Sequence, residues 1–159
     1  RTGYPEVSFL IDHQGSGLIR PDRQTLVRGL FPSLSGAAKM DIIEDQPGFD
    51  SGNGHLLVAL SGDRSPWATG GTKLKGPIGF KVVKLDQDTK QYIDFIYNTA
   101  QLPAHLLGKN SPGLERPIDV KFGPDGALYV VDFGKAEWTS SVPKIAPNTG
   151  RVLRVVPAR

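Results

Sequence analysis

The chain has 159 residues, 19 Lys and Arg against 16 Asp and Glu, and no cysteine. A net charge of +3 gives no basis for a nucleic-acid partner, and no apolar run approaches the ~18 residues needed to span a bilayer. Without cysteine there is no disulfide framework, thiolate zinc site, cysteine nucleophile or covalently attached c-type haem. The 19 glycines and 13 prolines, with short apolar runs between them, favour a turn-rich β protein over a helical bundle.

In chain order, alternating or β-branched runs predict strands at Val7–Ile11, Thr25–Leu30, Met40–Glu44, Leu56–Leu60, Phe80–Leu85, Tyr92–Tyr97, Ile118–Phe122, Leu128–Asp132 and Val152–Val156. One helical turn is expected around Leu102–Leu107, between Pro103 and Gly108. Turns are expected at Asn53-Gly54, Asp86-Gln87-Asp88 and Pro124-Asp125-Gly126. The last is a hairpin signal: Pro124 presets φ, Asp125 bonds the backbone ahead, and Gly126 takes the left-handed conformation.

A repeat runs through these strands. Leu56-Leu-Val-Ala-Leu-Ser-Gly62 recurs as Leu128-Tyr-Val-Val-Asp-Phe-Gly134, 72 residues on. Gly79-Phe-Lys-Val-Val-Lys84 recurs from Gly150, 71 residues on. A strand precedes each pair, at Ala38–Ile43 and Arg116–Val120, and a fourth follows the first unit at Tyr92–Tyr97. Four antiparallel strands at a fixed spacing predict an all-β fold of β-propeller blades. A sandwich also alternates, but it would not recreate the same glycine positions. Residues 1–36 are then the end of a preceding blade. Residues 37–115 are a blade with long loops and a linker, and 116–159 are a terminal blade with three strands visible. Closure takes about four blades or more, so this length, starting at Arg1, is expected to be part of a larger propeller or one chain of a larger assembly.

The segment Arg116-Pro-Ile-Asp-Val-Lys-Phe-Gly-Pro-Asp-Gly-Ala-Leu-Tyr-Val-Val-Asp132 resembles the last-blade signature of the glucose/sorbosone dehydrogenase family. His55-Leu-Leu-Val-Ala-Leu-Ser-Gly-Asp63, followed by Gly79-Phe-Lys-Val-Val-Lys-Leu85, resembles the preceding blade, and the terminal Thr149-Gly-Arg-Val-Leu-Arg154 also fits. The resemblance implies the C-terminal portion of a six-bladed, pyrroloquinoline quinone-dependent propeller. It implies oxidation of an aldose- or sorbosone-type sugar at a carbonyl or hemiacetal carbon, in the periplasm or outside cells. The protein's part in such chemistry is to orient the quinone and supply a base for the substrate hydroxyl. The family's base histidine and calcium ligands lie in upstream blades, and none of His13, His55 or His105 matches that histidine.

By the same resemblance Arg116 matches a channel-facing arginine whose guanidinium would hold a cofactor carboxylate. Ile118 stands where some members carry a second arginine. Ser61 or Gly62 stands where the family places a Lys or His facing the quinone, with Asp63 and Arg64 following as possible substitutes. Trp67, on the long loop 65–78, is a candidate to stack on a sugar or on the quinone. Each has a plainer reading. Arg116 would be a surface partner of Glu115 or Asp119, and Asp63-Arg64 a turn-stabilising pair. Trp67 and Trp138 would be residues that pin their loops. Asp119 and Asp132 read as turn caps or as bonds to a neighbouring blade's backbone. Gly70-Gly71-Thr72-Lys73 lacks the spacing of a phosphate loop. Two rival functions stand beside the dehydrogenase: a non-catalytic propeller serving as a binding or scaffold module, and a lactonase-like or NHL-like propeller.

Overall fold

The computed structural model describes residues 29–32, 34–44, 46, 48–49, 54–63, 77–108, 111–138 and 142–157. These residues form antiparallel β-sheets with almost no helix. The first sheet has four strands in sequential order: β1 (Ala37–Ile42), β2 (Leu56–Leu60), β3 (Lys81–Leu85) and β4 (Tyr92–Ile96). The second has three, β5 (Pro117–Phe122), β6 (Leu128–Asp132) and β9 (Arg151–Val155), in the order β5-β6-β9. Within the β6–β9 connection a short hairpin pairs β7 (Ala136–Trp138) with β8 (Pro143–Ile145). A single 3-10 turn, Ala104–Leu106, occupies the expected helical stretch. Among the described residues no helix is long and apolar enough to cross a membrane.

The strands follow their side chains. β2 is a continuous apolar run, LLVAL, because both of its faces are covered; β9, RVLRV, alternates because one face is open. The β5–β6 hairpin closes as its turn residues require. Gly126 sits at φ +72°, Gly126 N donates to Gly123 O at 3.0 Å, and Asp125 Oδ1 accepts from Ala127 N at 3.2 Å. In the β3–β4 turn, Asp86 Oδ1 accepts from Asp88 N and Thr89 N at 2.8 and 3.1 Å.

Three expectations need adjustment. The first strand begins at Ala37 and stops at Ile42, short of Glu44. Gly29 and Leu30, the described end of the Thr25–Leu30 run, are not in a strand; Val7–Ile11 and Asn53 lie outside the described residues. The β7–β8 hairpin was not anticipated, since three-residue strands carry too little alternation to register as a pattern.

The ladders also define the repeat more sharply than the glycines do. Leu57 pairs with Lys84 and Ala59 with Val82, while Tyr129 pairs with Arg154 and Val131 with Val152. β2 therefore maps onto β6 with a shift of 72, as the sequence indicates, but β3 maps onto β9 with a shift of 70 rather than 71. The glycine spacing misleads by one because Gly79 has φ +96° whereas Gly150 has no positive φ. Met40 opposes Val58 as Val120 opposes Val130, so β1 maps onto β5 with a shift of 80, and each of the two strands carries a bulge near its start.

This mapping sets how the sheets stack. Leu57, Ala59 and Val82 pack against Val120, Leu128 and Val130 in one core between the sheets. Val58, Leu60 and Val83 form a second core on the far side of the first sheet, with Phe31 and Tyr92 against it. Their repeat mates swap faces relative to the interface. Val130 and Leu153, equivalent to Val58 and Val83, look toward the first sheet. Val131 and Val152, equivalent to Ala59 and Val82, are on the open side, where Val152 is 65% exposed. The two sheets stack head to tail. At the β1–β5 end of the stack, equivalent positions touch: Lys39 Nζ lies 2.8 Å from Asp119 Oδ2, and Lys121 Nζ 3.4 Å from Asp41 Oδ1. Asp41 Oδ2 also accepts from Phe122 N at 2.8 Å, a bond from one sheet to the backbone of the next.

Candidate functional site

Arg116, the residue before β5, enters the stack sideways at the ends of β2 and β6. Its backbone N donates to Asp132 Oδ1 at 2.8 Å, and its carbonyl accepts from Phe133 N at 2.9 Å. The side chain then crosses to the other sheet, buried to 6% exposure. One terminal nitrogen donates to Asp63 O at 2.8 Å, Ser61 O at 3.2 Å and Gly62 O at 3.3 Å; the other donates to Ala136 O at 3.3 Å. Phe80 and Trp138 each present a ring to the guanidinium, with centroids 4.9 and 4.4 Å from its carbon.

Local chain geometry makes this socket. β2 ends at Leu60, and Gly62 takes φ +87° immediately afterwards. A Cβ there would run into the Phe80 ring, so glycine serves both the backbone angle and the close approach. Ser61 N and Oγ donate to Gly36 O at 2.8 and 2.9 Å, Gly62 N to Ser35 O at 2.9 Å, and Asp63 N to Ile78 O at 2.9 Å. With its N–H groups held on that side, the 61–63 turn offers its carbonyls to the cation. Gly134, the repeat mate of Gly62, has φ +91°, and a Cβ there would sit 2.5 Å from Thr149 C.

Asp132 is the counterpart on the second sheet. Its carboxylate is fully buried and accepts from Glu115 N and Arg116 N at 2.8 Å each and from Gly134 N at 3.1 Å. It also lies 3.1 Å from a terminal nitrogen of Arg151. It is a backbone cap, as its place at a strand end suggested. Asp119 bonds Val120 N and Lys39, so it bridges to the neighbouring sheet.

Of the candidate residues, the structure brings together Arg116, Ser61 and Asp63, the last two through their carbonyls. Trp138 joins them over the guanidinium and so pins its loop. Arg64 and Trp67 lie outside the described residues. Arg116 is no surface residue: Glu115 bonds His105, and Asp119 bonds Lys39, leaving neither as the exposed partner expected for it.

A cleft that sequence reasoning missed opens beside this socket. Asn98 locks the segment between the sheets, donating to Leu102 O and Leu114 O at 2.7 and 2.8 Å and accepting from Leu114 N at 2.8 Å. The lock carries His105 onto Glu115, with Nδ1 2.8 Å from Oε2. Both line a cleft of about 670 Å³ with Lys135, Asn148 and Arg151. No spacing rule announces a histidine ten residues before a glutamate in a loop. Only the Pro103–Gly108 boundary hinted that the segment turns there. Among the described residues, no cluster of three or more His, Asp or Glu could hold a metal ion. Compared with protein-family models, curated proteins and solved structures, the chain gives no match.

Proposed function

We propose that the chain is the C-terminal portion of a quinone-dependent sugar dehydrogenase of the glucose/sorbosone type, folded as consecutive blades of a six-bladed β-propeller. The observation that carries the blade reading is the head-to-tail stacking of equivalent sheets. A heterologous contact of this kind, repeated with the same rotation, generates a ring where the rotation closes and an open filament where it does not, and the blade reading takes the closed case. A rotation moves an atom in proportion to its distance from the axis, so equivalent residues in contact lie near that axis. The Lys39–Asp119 and Asp41–Lys121 pairs are such contacts. In this reading β1 and β5 are innermost strands beside a central channel, and the open face of Val131 and Val152 receives the next blade.

The dehydrogenase part rests on the resemblance of segments 55–85 and 116–132, with a sugar as substrate and the periplasm or cell exterior as location. Pyrroloquinoline quinone, when bound, would accept the two electrons of the oxidation. Arg116 and Ser61 do not fit its anchor, because they turn their donors to backbone carbonyls. No step is routed through it here, and in this reading the quinone and calcium sit against other blades. Arg116 acts as the tie that joins the ends of two blades, holding the shape of the site rather than touching the cofactor.

The same observation favours a second reading, a non-catalytic propeller that serves as a binding or scaffold module. The two readings separate in one experiment. The complete polypeptide is reconstituted with pyrroloquinoline quinone and calcium, and dye reduction is followed with a panel of aldoses. Quinone-dependent absorbance with aldose-dependent dye reduction supports the enzyme. Absence of both overturns it in favour of the binding module.

A further inference from the structure

We propose that the outer edge of β9 binds an extended segment of a partner polypeptide, which adds to the second sheet as an antiparallel fourth strand with an acidic residue opposite Arg154. The first sheet shows the vacancy. β3 lies between β2 and β4, whereas its equivalent β9 has β6 on one side and no strand on the other among the described residues. Strand residues turn their N–H and C=O alternately to the two sides, so β9 keeps one row of backbone groups unpaired. Edges are commonly closed to strand addition by a bulge or a proline. Neither interrupts Arg151–Val155: its register with β6 runs from Asp132↔Arg151 to Leu128↔Val155 without a shift, and Pro157 lies beyond it.

The equivalence of β3 and β9 sets the chemistry of the incoming strand. Tyr92 opposes Leu85 and packs on the core of Val58, Leu60 and Val83, while Ile96 opposes Val82. Carried over by the shift of 70, an aromatic residue falls opposite Val155 and an aliphatic one opposite Val152. Leu153 and Val155 are only partly buried at the margin of the core between the sheets, and Val152 is 65% exposed, so each has apolar surface left to cover. Between these positions β3 and β9 differ in a way that selects the partner. Lys84, opposite Ile93, is buried, whereas the side chain of its equivalent Arg154 is 54% exposed on the open face. Arg154 Nε and one terminal nitrogen donate to the same Asp125 oxygen, at 3.0 and 2.9 Å, and the Tyr129 hydroxyl donates to that oxygen too. A guanidinium has five N–H donors and Asp125 takes two, so donors remain for a second carboxylate. A residue directly opposite on a neighbouring strand has its Cβ about 5 Å away, within reach for a glutamate. Arg151 faces the other side and is held by Asp132 and by the Pro112 and Gly113 carbonyls, so it makes no such demand. A second copy of β9 brings two arginines and no acid, and the charge therefore favours a different, acidic strand.

The proposal rests on the equivalence of the two sheets and not on the dehydrogenase reading, and no sugar, quinone or dye enters its test. The full chain, labelled with ¹⁵N, is titrated with synthetic peptides spanning residues 91–98, which contain the β4 sequence, with Ile93 kept or replaced as Ile93→Glu or Ile93→Lys. Amide shifts and hydrogen exchange at Arg151–Val155 are followed by NMR. The Glu peptide is expected to bind saturably and to protect the outward amides of β9. It should bind about threefold tighter than the parent peptide, and the Lys peptide about threefold weaker, the scale of one cross-strand pair. N-methylation of alternate peptide residues separates strand addition from apolar adhesion: one alternating set should abolish binding and the other spare it. Arg154→Gln in the chain, at an exposed position, should erase the preference for Glu over Lys. Absence of saturable binding overturns the proposal, as does equal affinity of the Glu and Lys peptides, a preference that survives Arg154→Gln, or N-methylation acting alike at both sets. Amides of β9 already protected in a concentration-dependent dimer would assign the edge to a second copy and overturn it as well.

Discussion

Replacing Arg116 by Ala tests the idea that one cation joins the two sheets. The substitution removes the donors facing Asp63 O at 2.8 Å and the three longer carbonyl contacts, and it leaves Phe80 and Trp138 facing a void. A hydrogen bond to a charged group contributes about 1.5–3 kcal/mol, and a desolvated cation–π contact about 2. The contacts share one side chain and are not additive. A loss of about 3–5 kcal/mol is therefore expected, the range for breaking a buried charged interaction. For a chain of this size that lowers Tm by about 8–15 °C, measurable by calorimetry or urea titration. Arg116→Lys keeps the charge but cannot fork across the carbonyls of both sheets, and it should lose about half as much. A Tm drop below about 3 °C for the Ala variant, or wild-type stability for the Lys variant, would refute the bridge. A cofactor-anchoring Arg116 would give the opposite signature, lost quinone affinity with little change in Tm.

Other outcomes follow from the same geometry. Gly134→Ala forces a side chain at φ +91° into the backbone of Thr149, and should cost about 3 kcal/mol or more. Gly126→Ala, at φ +72° with its nearest neighbour 3.5 Å away, should cost only about 1 kcal/mol; chemical denaturation will rank the two. Asp132→Ala leaves three backbone N–H groups without their acceptor and removes the carboxylate, though not the carbonyl partners, of Arg151, and should destabilise by about 3–5 kcal/mol. Asp41→Ala should cost more than Lys39→Ala, because only Asp41 holds a backbone N–H of the neighbouring sheet. The backbone N–H groups of Thr89 and Asp88 hold the Asp86 carboxyl below the usual carboxylate range. A depressed folded pKa contributes stability above the unfolded value, ~3.9, and loses it as pH falls through the folded value. The Tm advantage of wild type over Asp86→Asn should therefore be full at neutral pH and shrink below about pH 4. An advantage that grows with acid would contradict the assignment.

Much of the fold was legible because its information is local. Strands β2 and β6 span the residues their apolar runs predict, and the Pro124-Asp125-Gly126 turn closes through its own backbone bonds. The glycines at 62 and 134 marked the repeat because each strand end needs a left-handed residue with no Cβ in the way. The shift of 71 was off by one because strand register is a property of cross-strand pairing, and a loop glycine does not report it.

Arg116 was singled out from its neighbours in sequence, but its partners stand 53 to 55 residues earlier and 20 later. Nothing local distinguishes a guanidinium that meets carbonyls across a sheet interface from one that meets a ligand. The His105–Glu115 pair was missed for a related reason, since it depends on Asn98 holding a loop in place from both ends. By itself the sequence determined an all-β, glycine-punctuated repeat with its strands and hairpins, since alternation and turn chemistry act over a few residues. The tertiary structure alone decided that the sheets stack head to tail, that Arg116 ties them, and that a histidine and a glutamate share a cleft. Those facts depend on which faces meet across distant parts of the chain.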